Sequence, residues 1–197
     1  MSNFLLRNPD CVLIHIPKTG GTSIRKGIWG SNYEGPCFGD IPSDWMHLFK
    51  FAFVRHPFQR LISAWRMFTE GAKGDPQWTL PADARPLTLS DFLDIVVDDR
   101  ILYDERRTTF EEKIRHHTIP QTHPFNCLHL ADYVARQECY EKEVRMICSR
   151  VGLELDRVPR MHVTSPTHWS TVLTGSALER AHDYYRDDLR MLGYDDV

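Results

Sequence analysis

Apolar residues in this chain fall into two short unbroken runs and several spaced stripes, and the two patterns separate expected strands from expected helices. Cys11-Val12-Leu13-Ile14 is a run of strand length, followed by the glycine turn Gly20-Gly21 and the start of a helix. Phe49-Lys50-Phe51-Ala52-Phe53-Val54 is a second run, aromatic and β-branched, followed by Pro57, a residue suited to the first turn of a helix. In that helix Leu61, Ala64, Trp65 and Phe68 form one apolar stripe, while Gln59, Arg60, Ser63 and Arg66 lie towards another face. The two strand-turn-helix units span residues 11–30 and 49–70. The turn-rich stretch from Gly30 to Asp44 joins them and reads as a candidate substrate loop.

Further along, Gly71, Gly74, Pro76, Pro81 and Pro86 predict an irregular surface excursion over 71–87. Ser90 is placed to cap a helix running to about Asp98, and a highly charged helix is expected from Tyr103 to His117. Ala131–Ala135 reads as a short strand and Glu138–Val151 as a helix, with Tyr140, Val144, Ile147 and Val151 on one face and Gly152 as its stop. Ser176-Ala177-Leu178-Glu179 fits a capping box, opening a last helix with Leu178, Ala181, Tyr185, Leu189 and Leu192 as its buried stripe. The alternation of strands and helices predicts an α/β chain. Its architecture is a three-layer, P-loop-like fold with a central, mainly parallel sheet flanked by helices and with binding loops at strand carboxyl ends.

A chain of 197 residues, 42% hydrophobic and 11% aromatic, can bury one sizeable core, so a single domain over 1–197 is expected. The net charge of −3 argues against a general binder of nucleic acid or anionic membranes, and any positive site must be focused. No apolar stretch approaches the ~20 residues that cross a bilayer, and the amino terminus lacks a basic-then-apolar signal. A soluble, cytoplasmic, bacterial-type protein is the expectation. Cys11, Cys37, Cys127, Cys139 and Cys148 include no C-x-x-C pair and read as reduced, mostly packed thiols.

Candidate chemistry concentrates in His15-Ile16-Pro17-Lys18-Thr19-Gly20-Gly21-Thr22-Ser23-Ile24. Gly20 and Gly21 permit positive φ and close backbone approach, Thr22 and Ser23 are placed to cap the new helix, and helix N–H groups favour an anion. Lys18 adds a point charge aimed at the same anion. A nucleoside-triphosphate P-loop places its lysine after the last glycine of G-x-x-x-x-G-K-[ST], whereas here Lys18 precedes both glycines. The second unit adds Arg55 at a strand end and Ser63 about two helical turns along. The two can converge on one phosphate, arginine by a forked contact and serine by its hydroxyl.

The order P-K-T-G-G-T-S resembles the 5'-phosphosulfate loop of sulfotransferases that use 3'-phosphoadenosine 5'-phosphosulfate (PAPS), especially the carbohydrate and heparan 2-O-type branch. The segment from Arg55 to Ser63 resembles their 3'-phosphate site. Ile119-Pro120-Gln121-Thr122-His123 is similar to the P-Q-T loop of bacterial members, and Asp132–Glu138 to their strand ending in R-x-E. Val163-Thr164-Ser165 departs from the family, which usually has an asparagine shortly after a proline near that position.

The resemblance implies transfer of a sulfuryl group from PAPS to a hydroxyl-bearing acceptor, a saccharide or a small metabolite, leaving adenosine 3',5'-bisphosphate. It implies Lys18, Thr19, Gly20, Gly21, Thr22, Ser23, Arg55, Ser63 and Arg136 as cofactor-binding residues, with Lys18 also catalytic and no metal required. Related carbohydrate enzymes carry a histidine between the two motifs, and His47 in Trp45-Met46-His47-Leu48 stands there as the expected general base, with Asp40, Glu34 and His123 as alternatives.

Two competing readings are a Mg²⁺-dependent P-loop kinase or nucleotide hydrolase, disfavoured by the lysine order, and a noncatalytic nucleotide-binding module. His116, His117, His123, Cys127 and His129 match no firm zinc spacing. The charges from Asp98 to Arg115 interleave in sign, as on a solvated face.

Overall fold

The computed structural model describes residues 2–70, 87–161 and 167–195. The excursion expected over 71–87, apart from Leu87, and the departure at Val163-Thr164-Ser165 lie outside the described residues. Two compact units divide the chain, one from Met1–Arg55 with Gln121–Thr164 and the other from His56–Pro120 with Ser165–Val197.

In the first unit, β1 (Ser2–Leu6), β2 (Cys11–Ile14), β3 (Tyr33–Phe38), β4 (Lys50–Val54) and β5 (Tyr133–Arg136) form one sheet in the order β3-β1-β2-β4-β5. The centre is parallel, with Leu13 beside Phe51 and Phe53 beside Ala135. β1 runs antiparallel to both β2 and β3, so β2, β3, β4 and β5 share one direction and β1 opposes them, in a mixed sheet with a parallel centre. The stretch read as a loop between Gly30 and Asp44 therefore contains an edge strand. Gly35 and Pro36 disguise it, and an edge tolerates proline because the missing N–H need not face a partner.

Strand alternation sorts the side chains into two apolar layers. Phe4, Leu6, Leu13, Phe51 and Phe53 pack with Ile24 of α1 (Gly21–Gly27) and with Tyr140, Val144 and Ile147 of α5 (Tyr140–Arg150). Leu5, Val12, Ile14 and Ala52 face the other way, towards Ile41, Trp45 and Cys127. Trp45 sits in a 3-10 turn, Ser43–Trp45, and Cys127 caps another, Leu128–Leu130. Within this unit these short turns pack on the second face.

The second unit packs α2 (Pro57–Glu70), α3 (Leu89–Val97), α4 (Phe110–Thr118), α6 (Gly175–Tyr184) and α7 (Arg186–Met191) around Leu61, Phe68, Phe92, Ile114 and Tyr185. Thr88 with Asp91 and Thr109 with Glu112 form the capping boxes of α3 and α4. Those boxes displace the expected starts at Ser90 and Tyr103. The box expected at Ser176 does not form; the N-cap is Thr174, without a side-chain bond. The last helix also breaks at Tyr185, whose hydroxyl donates to the Thr118 carbonyl at 2.6 Å. Among the described residues, no helix is long and apolar enough to cross a membrane.

Arg60, expected on a polar face, is 1% exposed. Its Nη1 donates to the His117 carbonyl at 3.0 Å, and its Nη2 to those of Thr118 and Ile119 at 3.1 and 2.5 Å. These carbonyls close α4, where the helix dipole favours a cation. Arg60→Leu would strand buried acceptors, so it is expected to lower the unfolding free energy by about 3 kcal/mol in urea titration. A loss below about 1 kcal/mol would show that water replaces the guanidinium.

Candidate functional site

The loop that follows β2 holds itself in shape before any ligand is considered. Thr19 is buried, and its Oγ1 donates to the Ile16 carbonyl at 2.7 Å. Gly20, at φ 97°, is the N-cap of α1, and its carbonyl receives the N–H groups of Ser23 and Ile24 at 3.0 and 3.3 Å. Lys18 is also left-handed, at φ 70°, a conformation that costs roughly 1–2 kcal/mol for a residue with a Cβ. Positive φ at 18 and again at 20 makes this a tight turn of the kind from which anion-binding nests are built.

Space at the glycines explains their chemistry. A Cβ on Gly21 would lie 2.1 Å from Cδ2 of His15, and one on Gly20 would lie 3.0 Å from Cε2 of Tyr140. Burial and then the Arg25 charge push the His15 imidazole down to about 3, so His15 serves this loop as a neutral wall. Thr22 and Ser23 lie inside α1 and do not cap it. The Ser23 hydroxyl accepts the Met161 N–H at 2.8 Å, tying α1 to a residue far along the chain.

Arg55 follows β4 at the same edge of the sheet. Its Nη1 donates to the Lys18 carbonyl at 3.3 Å, bracing the left-handed residue. Its own backbone is held by Gln121, whose Oε1 accepts the Arg55 N–H at 2.9 Å and whose Nε2 donates to the Arg55 carbonyl at 2.8 Å. Arg136 ends β5 directly beside Val54, so the third parallel strand delivers a further guanidinium-bearing residue to this edge. Burial and then the Arg55 charge push the Lys18 ammonium down to about 8.

Lys18, Thr19, Gly20, Gly21, Thr22, Ser23 and Arg55 lie at this end of the sheet with Arg136, whereas His47 and Glu34 do not. His47 is exposed and precedes β4, whereas Lys18 and Arg55 follow parallel strands. The five residues of β4 therefore separate His47 from Arg55 by roughly 16 Å, placing this histidine at the opposite edge. Glu34 also lies away from the loop, paired with Arg7 at 2.7 Å beside Leu5. Asp40 follows β3, which is parallel to β2, and so reaches the edge that carries Lys18; its Oδ1 accepts the Ile41 N–H at 2.7 Å. His123 uses Nδ1 to accept the Phe125 N–H at 3.2 Å, which leaves its neutral proton on Nε2. Ser63 lies half-buried on α2, in the second unit. Gln121 is the residue whose importance the sequence reading missed. The P-Q-T pattern marked its position, but its partner is 66 residues away.

Because the folded pKa of Lys18 is about 8 against an ordinary 10.5, the unfolded chain binds its proton more tightly between those values. Lys18 therefore makes the fold more stable as pH rises from about 8 to 10.5, while affinity for an anion falls as pH rises through about 8. Comparing urea melts and phosphate binding of the wild type with Lys18→Met over this range checks both signs. Gly21→Ala is expected to destabilise by about 1–3 kcal/mol through overpacking, and His15→Ala in the same chain to recover most of that loss. Additive losses in that double-mutant cycle would rule out the steric account.

A family model described as the sulfotransferase family matches residues 40–195. The match begins after β3, so the Lys18 loop lies ahead of it while Arg55, Ser63, Gln121 and Arg136 lie within it. No curated protein and no solved structure shows a significant match to this chain. With most of the 197 residues matched, the chain belongs to the sulfotransferase family.

Proposed function

We propose that this sulfotransferase-family chain uses PAPS as its donor and a hydroxyl of a saccharide or small metabolite as its acceptor. The supporting observation is the Lys18 loop itself. Its left-handed residues present N–H groups and an ammonium, and Arg55 is 3.3 Å away on the Lys18 carbonyl. The fit to a phosphosulfate rests on the positive-φ backbone at Lys18 and Gly20 and on the Lys18 charge, while Tyr140 and His15 pack against Gly20 and Gly21 and leave no room there for a Cβ. The order of this loop, similar to the carbohydrate and heparan 2-O-type branch, favours a saccharide acceptor.

In this reading the N–H groups from Thr19 to Thr22 and the Thr22 hydroxyl hold the 5'-phosphate, the Ser23 N–H being engaged by the Gly20 carbonyl. Thr19 contributes backbone only, since its hydroxyl closes the loop on Ile16. Arg55 takes the 3'-phosphate, and Arg136 adds positive charge from the neighbouring strand end. When bound, PAPS supplies the sulfur that passes to the acceptor oxygen and keeps the broken bond's electron pair on its 5'-phosphate. Lys18 stabilises the charge that develops on that bridging oxygen. Asp40, an exposed carboxylate at the same sheet edge, takes the proton of the acceptor hydroxyl. His47 takes no part.

Calorimetric titration without Mg²⁺ should show adenosine 3',5'-bisphosphate binding about tenfold or more tighter than ATP, with the preference lost in Lys18→Ala and Arg55→Ala. Radiolabelled sulfate transfer from PAPS to a panel of saccharides should survive His47→Ala. Asp40→Asn should lower turnover by about a hundredfold without weakening nucleotide binding. A preference for ATP would sink the donor assignment, and an active Asp40→Asn protein would sink the base assignment.

A further inference from the structure

Gln121 and Asn126 are both fully buried, on the segment that follows the first unit's return at residue 121. The last registered pair between β4 and β5 is Val54 with Arg136, so Arg55 stands one residue beyond the ladder. There the Gln121 side chain makes the two-bond exchange that a neighbouring strand would otherwise make, at 2.9 and 2.8 Å. A carboxamide offers a donor and an acceptor side by side in one plane, as the N–H and carbonyl of one residue require, whereas an ionised carboxylate offers acceptors alone. Gln121 is in turn held by Asn126, whose Nδ2 donates to the Gln121 carbonyl at 3.1 Å. At the far end of the chain of contacts, the Arg55 guanidinium reaches the Lys18 carbonyl.

We propose that Gln121 is a positioning residue of the anion site: by pairing with both backbone groups of Arg55, it sets where the guanidinium stands and so governs recognition of the nucleotide's 3'-phosphate. The proposal rests on the assignment of Arg55 to that phosphate. Arg55 projects a long side chain from a strand end, where small backbone rotations swing its tip widely. Forked recognition of a phosphate tolerates only about 0.5 Å of error. Two short hydrogen bonds at the root of the side chain remove that freedom without occupying any of its five donors.

The test compares adenosine 3',5'-bisphosphate with adenosine 5'-monophosphate, which differ only in the 3'-phosphate, by calorimetry on the full chain. The ratio of the two affinities isolates the group that Arg55 is assigned to bind. Gln121→Leu should shrink this ratio about tenfold, with the monophosphate affinity changed by less than about threefold. Gln121→Glu supplies a second reading that does not depend on the leucine variant folding. Its ionised carboxylate opposes the Arg55 carbonyl, whereas its protonated form restores the donor-acceptor pair, so its ratio should recover towards the wild-type value as pH falls from 8 to about 5.5.

An equal loss for both nucleotides, or a Gln121→Glu ratio that stays low at every pH, would overturn the positioning role. A wild-type ratio near one, unchanged by Arg55→Ala, would instead overturn the assignment of Arg55 to the 3'-phosphate, and the positioning role with it. That outcome appears before any Gln121 variant is measured, so the two failures are distinct.

Discussion

Because β2, β4 and β5 run in one direction, the backbone after each strand leaves the sheet at the same edge. The loop after Ile14, Arg55 after Val54, and Arg136 at the end of β5 are neighbours for that reason, although more than a hundred and twenty residues separate the first from the last. Antiparallel pairing anywhere in this trio would send one of the cationic residues to the far side of the sheet. The register also matters at single-residue resolution, since a slip by one would turn Phe51 and Phe53 out of the layer they share with α1 and α5.

Side-chain groups do much of the work that regular backbone pairing leaves undone. Arg60 satisfies the carbonyls that end α4, Gln121 satisfies both backbone groups of Arg55, and Thr19 closes its own loop on Ile16. Arg115 plays a comparable part in the second unit, donating to the Val96 carbonyl, to the Tyr184 hydroxyl at 2.6 Å and to Asp99 at 3.0 Å. Each of these groups is buried at an element's end, where orphaned backbone donors and acceptors would otherwise carry a desolvation cost. Charge in this protein is spent on holding ends and turns as much as on any ligand.

What could be read from the sequence was local. Cys11–Ile14 and Lys50–Val54 are continuous apolar runs punctuated by glycine or proline, and both strands and the elements after them appear where that pattern put them. β3 was hidden because Gly35 and Pro36 carry turn chemistry into an edge strand. The break at Tyr185 has no signal in the sequence, because the apolar stripe Leu178, Ala181, Tyr185, Leu189 continues through it. Ser23 has the side chain of a cap, yet its hydroxyl is engaged by the backbone 138 residues away. His47 illustrates a constraint that motif order does not convey: a residue just before a parallel strand and a residue just after its neighbour sit at opposite edges. Proximity along the chain to Arg55 was thus a poor guide to proximity in space.

The close approach of Lys18 and Arg55 gives the loop a character beyond recognition. The Arg55 guanidinium is held on the backbone carbonyl of Lys18, and after burial its like charge makes the Lys18 ammonium harder to keep. An anion placed between them turns that repulsion into two attractions at once. A ligand with its negative charge divided between two separated groups would gain more from this arrangement than one with the same charge in a single cluster. The spacing of cations thereby selects for how charge is distributed along a molecule, and the departure of a group that carries charge away would loosen whatever remains.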